Sequence, residues 1–208
     1  MTKIYVKNEK LFKNKFQMVI YIIIFIALIG SFIYLGSIDY DKSLPDNEEF
    51  AKEFSLVSED NVFKYATSSD ALMIAGGTKG IVLFGTSNNE WVNYYANIVN
   101  KVAKQVGIEE IYYYDFVKNR QDNNGTYEAI VEKLEDYVTY NDYGVAEIYA
   151  PSLLVISGDE VLLFDTETSF VRGSVAPSEY WNSFNEEQKM QELSEVFKEY
   201  LESWGLNG

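Results

Sequence analysis

Residues 80–107, GIVLFGTSNNEWVNYYANIVNKVAKQVG, read as an apolar strand, a short polar loop and an amphipathic helix. The loop delivers Asn88, Asn89, Glu90 and Trp91 to the start of that helix. A helix N-terminus carries about half a positive charge and lowers the pKa of a thiol placed there, which is one way to prepare a nucleophilic thiolate. The chain has no cysteine among its 208 residues, so neither a thiolate nor a disulfide can form. It has no histidine either, which excludes Ser-His-Asp and Cys-His catalysis and imidazole-ligated metals. Carboxylates, lysines and tyrosines remain for chemistry.

Other motifs fail on their chemistry. If Gly125 in DNNGT were the turn glycine of a calcium loop, Arg120 would occupy the first ligand position and Val131 the last, where carboxylates are required. Gly76-Gly77 lacks the lysine and hydroxyl continuation of a phosphate loop. The acidic pairs Glu109-Glu110 and Glu186-Glu187 read as solvated faces. We therefore expect no catalytic residue, no metal and no cofactor. Asn88 and Asn89 read first as helix caps and second as ligand contacts, because asparagine caps well. Trp91 begins an apolar stripe and reads first as core, second as the lining of a groove.

Charge and hydropathy divide the chain. Residues 1–16 carry five lysines against Glu9, a net charge of +4, and the remainder carries −19. Such a body repels nucleic acid, whose binding needs cations that displace counterions. Met18–Gly36, MVIYIIIFIALIGSFIYLG, holds no charge. At ~1.5 Å per residue it extends ~28 Å, close to a ~30 Å hydrocarbon core. Lysines precede it and Asp39, Asp41, Asp46, Glu48 and Glu49 follow it, so the positive-inside bias puts the N-terminus in the cytoplasm and the acidic body outside the cell membrane. The run is longer than a signal-peptide core and ends without an A-x-A site, which favours an uncleaved single-pass anchor over a cleaved leader or a buried core helix. The expected organisation is a basic tail over 1–17, a transmembrane helix over 18–36, an acidic stalk over 37–61 with a short helix over Glu49–Phe54, and a folded domain over 62–208.

The elements that must position the loop follow from periodicity. A first strand is expected over Val62–Tyr65, then a brief helix over Ala71–Ala75 preceded by Ser68, Ser69 and Asp70 and stopped by Gly76 and Gly77. Ile81–Phe84 is apolar throughout, which suits a strand covered on both faces. Trp91, Tyr95, Ile98, Val102 and Val106 recur at helical spacing over Glu90–Val106, and Gly107 ends the helix. Ile111–Phe116 reads as a strand parallel to the preceding one, Lys118–Gly125 as a polar loop, and Thr126–Val138 as a helix. Ser152–Ile156 and Val161–Phe164, joined by Ser157-Gly158-Asp159, predict a hairpin. Ser183 with Glu186 opens a final helix carrying Met190, Leu193, Val196, Phe197, Tyr200, Leu201 and Trp204, ended by Gly205. The order β-α-β-α-β-α-β-β-α predicts an α/β fold, a mixed central sheet between two helical layers.

From about Val62 to Phe164 the chain resembles bacterial thioredoxin-like proteins, particularly the membrane-tethered forms of low-GC Gram-positive species. The resemblance rests on the strand IVLFG, the helix ending NKVAKQVG, the strand IYYYDF, and APSLLVISGDEVLLF with its proline before the hairpin. It implies a thioredoxin-like three-layer sandwich in which NEWV stands at the C-x-x-C position, Asn89 and Val92 replacing the two cysteines. It also implies a proline, usually cis, facing that position, here Pro151 preceded by Ala150. A scaffold of this family without sulfur would be redox-inactive. Backbone beside the proline could still pair with an extended peptide, an interaction that requires no thiol. The expected function is thus binding of a peptide or envelope protein partner, with Asn88, Asn89, Trp91, Ala150 and Pro151 lining the groove. The alternatives are a structural accessory subunit of a membrane or secretion complex, and a thiol oxidoreductase by descent only.

Overall fold

The computed structural model describes residues 45–122, 125–168 and 174–203. The expected membrane span Met18–Gly36, the stalk before Pro45 and the helix end at Trp204 and Gly205 lie outside these residues. Among the described residues no helix is long and apolar enough to cross a membrane.

The centre is a five-stranded mixed sheet in the order β1-β3-β2-β6-β7. Its strands are β1 (Phe63–Tyr65), β2 (Gly80–Gly85), β3 (Ile111–Asp115), β6 (Ser152–Ser157) and β7 (Glu160–Thr166). β1 and β2 both run parallel to β3, with Phe63 opposite Ile111 and Val82 opposite Tyr112. β6 is antiparallel to β2 and β7 is antiparallel to β6. Because strand side chains alternate between faces, each strand feeds two cores. Ile81, Leu83, Ile111, Tyr113, Leu153 and Val155 enter one; Val82, Phe84, Tyr114, Leu154 and Ile156 enter the other. Helices must cover both faces, and they do.

One face is covered by α1 (Asp46–Glu53), α3 (Glu90–Val106) and α7 (Ser183–Glu202). The other is covered by α2 (Ser68–Ala75) and α5 (Thr126–Lys133). The predicted bounds of α3 are matched, and its end at Gly107 takes the left-handed conformation with φ 90°. Asn100, buried in α3, accepts a hydrogen bond from the Val62 backbone at 3.2 Å and ties the entry of β1 to that helix.

Several boundaries differ from expectation. The domain begins before Val62: α1 belongs to it, with Phe50, Phe54 and Val57 buried and Phe50 stacked on Phe63 at 4.2 Å. The acidic exterior of DNEEFAKE masks a helix that is apolar on its inner side, so from Pro45 onward the expected stalk is domain rather than spacer. Phe116–Asp122, expected as the end of a strand and a polar loop, forms the short helix α4; Asp115 Oδ1 accepts from the Val117 backbone at 3.1 Å and Phe116 is buried beneath it. α5 stops at Lys133 rather than Val138, and a small hairpin follows, β4 (Thr139–Tyr140) paired with β5 (Ala146–Glu147). A one-turn helix, α6 (Pro177–Tyr180), precedes α7. The caps of two helices also shift by a residue or more: Thr67 and Asp70 form a capping box on α2, and Asn182 caps α7 by accepting from Phe184 and Asn185.

Candidate functional site

The β2–α3 loop and the entry of β6 meet at one end of the sheet. Register decides this: Phe84 lies opposite Ser152, so the chain leaving β2 through Gly85 passes beside Pro151. Gly85 permits a close approach here, since a Cβ at that position would stand 2.5 Å from the buried Tyr113 ring. Asp115 at the end of β3 pins the loop, accepting from the Ser87 hydroxyl at 3.1 Å and from the Ser87 backbone at 3.4 Å. Asn88 is exposed and adopts φ 59°, a left-handed conformation that asparagine tolerates better than most residues.

Asn89 is the N-cap of α3. Its Oδ1 accepts from the backbone of Trp91 at 2.9 Å and of Val92 at 3.3 Å, so the helix start satisfies itself. Trp91 is buried in the core, its ring 5.5 Å from that of Tyr180. The capping and core readings therefore account for both residues, and Asn88 is the one of the three that faces solvent.

On the other side, the Ala150–Pro151 peptide is cis. Pro151 is buried and Ala150 partly so, Ala150 touching both cores. The Pro151 carbonyl accepts from the Glu167 backbone at 3.1 Å, which extends the β6–β7 ladder past its last pair, Ser152 with Thr166. The Ser152 hydroxyl bonds the Tyr149 carbonyl at 2.7 Å and lies 2.8 Å from the Thr166 hydroxyl.

Sequence reasoning missed a buried charged cluster attached to this end. Lys189 Nζ on α7 lies 3.0 Å from Asp165, 2.9 Å from Glu167 and 2.7 Å from Glu192, and the Tyr95 hydroxyl donates to Asp165. Glu167 is fully buried. Burial pulls the lysine pKa down, but Asp165, Glu192 and Glu167 more than offset it, and the ammonium is held above its ordinary value. Burial first, then Asp165, pushes the Tyr95 phenol well up. The signal was present: Lys189 sits four residues before Leu193 on an otherwise apolar stripe, and Asp165 and Glu167 share one strand face by their two-residue spacing. Beside this cluster an aromatic row runs from Trp91 through Tyr180 and Trp181 to Tyr95, with ring centres 5.5, 4.8 and 6.1 Å apart. Among the described residues, Trp181 Nε1 and Thr168 Oγ1 are buried and meet no hydrogen-bond partner.

The acidic pairs have plainer roles: Glu110 pairs with Lys64 and Glu186 with Lys101, both at the surface. Among the described residues no group of three or more metal-ligating side chains is arranged to hold an ion; the three carboxylates around Lys189 hold an ammonium instead.

No protein-family model and no curated protein matches this chain. The structural class is an α/β fold, with a mixed five-stranded sheet between helices.

Proposed function

We propose that the chain is a membrane-anchored, thioredoxin-like module without redox chemistry, which binds an extended protein segment outside the cell membrane. The observation that carries this reading is the register of β2 against β6, which brings Gly85, where the loop leading to α3 begins, beside Pro151 at one end of the sheet in a chain that has no cysteine. The strand order, with two parallel pairs on one side of β2 and an antiparallel hairpin on the other, supports the thioredoxin-like assignment. The anchor and its direction rest on the uncharged run Met18–Gly36, the lysines before it and the acids after it.

A photo-crosslinking amino acid placed at Asn88 in the full-length chain, in its native membrane, tests the reading. A discrete protein adduct is expected from position 88 and not from Glu195, an exposed site on α7. Adducts from neither position, or the same adducts from both, would count against the groove. In an insulin-reduction assay the purified protein is expected to be inert, since no thiolate exists to attack a disulfide.

A further inference from the structure

On the helical layer formed by α2 and α5, away from α7, a groove of about 490 Å³ opens between α5 and β5. Its floor is apolar, made by Tyr127 and Val131 from α5 and by Val145 and Ala146 at β5. Its rim is acidic: Glu128 and Glu132 are one helical turn apart on α5, Glu135 follows the helix end, and Glu147 faces them from β5. Among the described residues no lysine or arginine forms an ion pair with these four carboxylates. Their bonded partners among the described residues are neutral, the Tyr140 hydroxyl on Glu135 and the Asn141 amide and Tyr149 hydroxyl on Glu147. Arg120, on the groove wall, has its guanidinium 5.9 Å from the centre of the Tyr127 ring. Apolar exposure continues along the adjoining hairpin, where Tyr137, Tyr140, Tyr143 and Val145 account for four of the eight large exposed hydrophobic residues described. An apolar patch rimmed by polar groups marks an interaction surface more often than scattered single side chains do.

We infer that this groove docks a basic amphipathic peptide segment, its apolar side chains on the Tyr127–Val145 floor and its lysines or arginines on the glutamate rim. Charge complementarity selects the occupant. A second copy of the chain would bring acidic rim against acidic rim in a protein of net charge −15, and like charges across an interface oppose association. The inference is independent of the groove beside Pro151, since no residue is shared.

The test uses the full-length chain in zwitterionic lipid nanodiscs, with empty discs as reference, and a fluorescein-labelled peptide of alternating lysine and leucine. Binding is expected to be saturable and to weaken with salt. The double variant Glu128→Lys, Glu132→Lys, at exposed positions, is expected to weaken it by about tenfold, as is Val145→Asp. The control Glu187→Lys, Glu195→Lys, which changes net charge equally on α7, is expected to change it by less than about twofold. Equal weakening by both charge reversals would reduce the effect to net charge and overturn the inference. So would equal affinity for a lysine–serine peptide, or no binding at all. A dimer in sedimentation that Val145→Asp dissolves would assign the groove to a second copy and likewise overturn it.

Discussion

Lys189 is the residue on which most of the buried charge in this domain converges. Three carboxylates surround it, and one of them, Glu167, is fully buried, so removing the ammonium strands negative charge away from water. Lys189→Met is expected to destabilise the domain by about 3–5 kcal/mol, measured by urea unfolding. Lys189→Met combined with Glu167→Leu should cost clearly less than the single change, because the stranded charge is removed with its partner. If the double variant is instead the less stable, the ammonium's worth lies in its packing. Asn89 acts on a smaller scale: Asn89→Ala is expected to lose about 1 kcal/mol through the open N-terminus of α3, and Asn89→Asp to keep it, as thermal unfolding would report. Asn89 as a cap was legible in the sequence because capping is local. For Lys189 the sequence offers only a hint, a lysine on an apolar stripe with Glu192 three residues on, because Asp165 on β7 and Glu167 just past it lie 24 and 22 residues away and become neighbours only when α7 lies over that strand.

Among the elements, α1 carries the largest consequence. With the turn that follows it, α1 adds Phe50, Phe54 and Val57 to the core, and Phe50 meets Phe54, Phe63, Tyr65 and Tyr113 in one aromatic cluster. Phe50→Ala is expected to cost about 3–5 kcal/mol. A fragment of residues 62–208 should fail to unfold cooperatively in urea, whereas one of residues 45–208 should show a single transition; two equally sharp transitions would make α1 dispensable. Its acidic outer surface and its place beside a run of acids made it read as spacer. α3 was legible end to end because its stripe, its cap and Gly107 agree. The β4–β5 hairpin was not, since two-residue strands carry no measurable alternation, and Tyr137 and Val138 continued the helical stripe of α5 past the point where the backbone leaves it.

At the level of the whole molecule, the titratable groups give one pH signature. Tyr65, Tyr95 and Tyr113 are each pushed up, burial being the largest cause, and Lys189 is held up by its carboxylates. In the unfolded chain the phenols ionise near pH 10.0 and the lysine near 10.5, while the folded chain keeps these protons to higher pH. Above about pH 10 the unfolded state therefore binds fewer protons than the folded one, and stability falls as pH rises. Below that both states are protonated and these groups contribute a constant amount. With no histidine to titrate, melting temperature should stay level across about pH 6 to 9 and then drop; a rise between about pH 10 and 11 would contradict the assignment. The layered α/β order was legible because two-sided apolar strands demand helices on both faces. Which strands neighbour which was not, since that is fixed by pairings between segments distant in sequence, such as β2 with β6, where Gly80 meets Ile156 and Phe84 meets Ser152.

The aromatic row from Trp91 to Tyr95 holds two of the three tryptophans of the chain, and no tryptophan lines the acidic groove on the opposite helical layer. Once Trp204 is replaced by Phe, tryptophan emission, excited selectively so that the 17 tyrosines do not contribute, reports on the aromatic row at the Pro151 end alone. A ligand that quenches or shifts this emission occupies that end, and one that binds while leaving the spectrum untouched has gone to the glutamates, so the molecule carries its own label for telling its two surfaces apart.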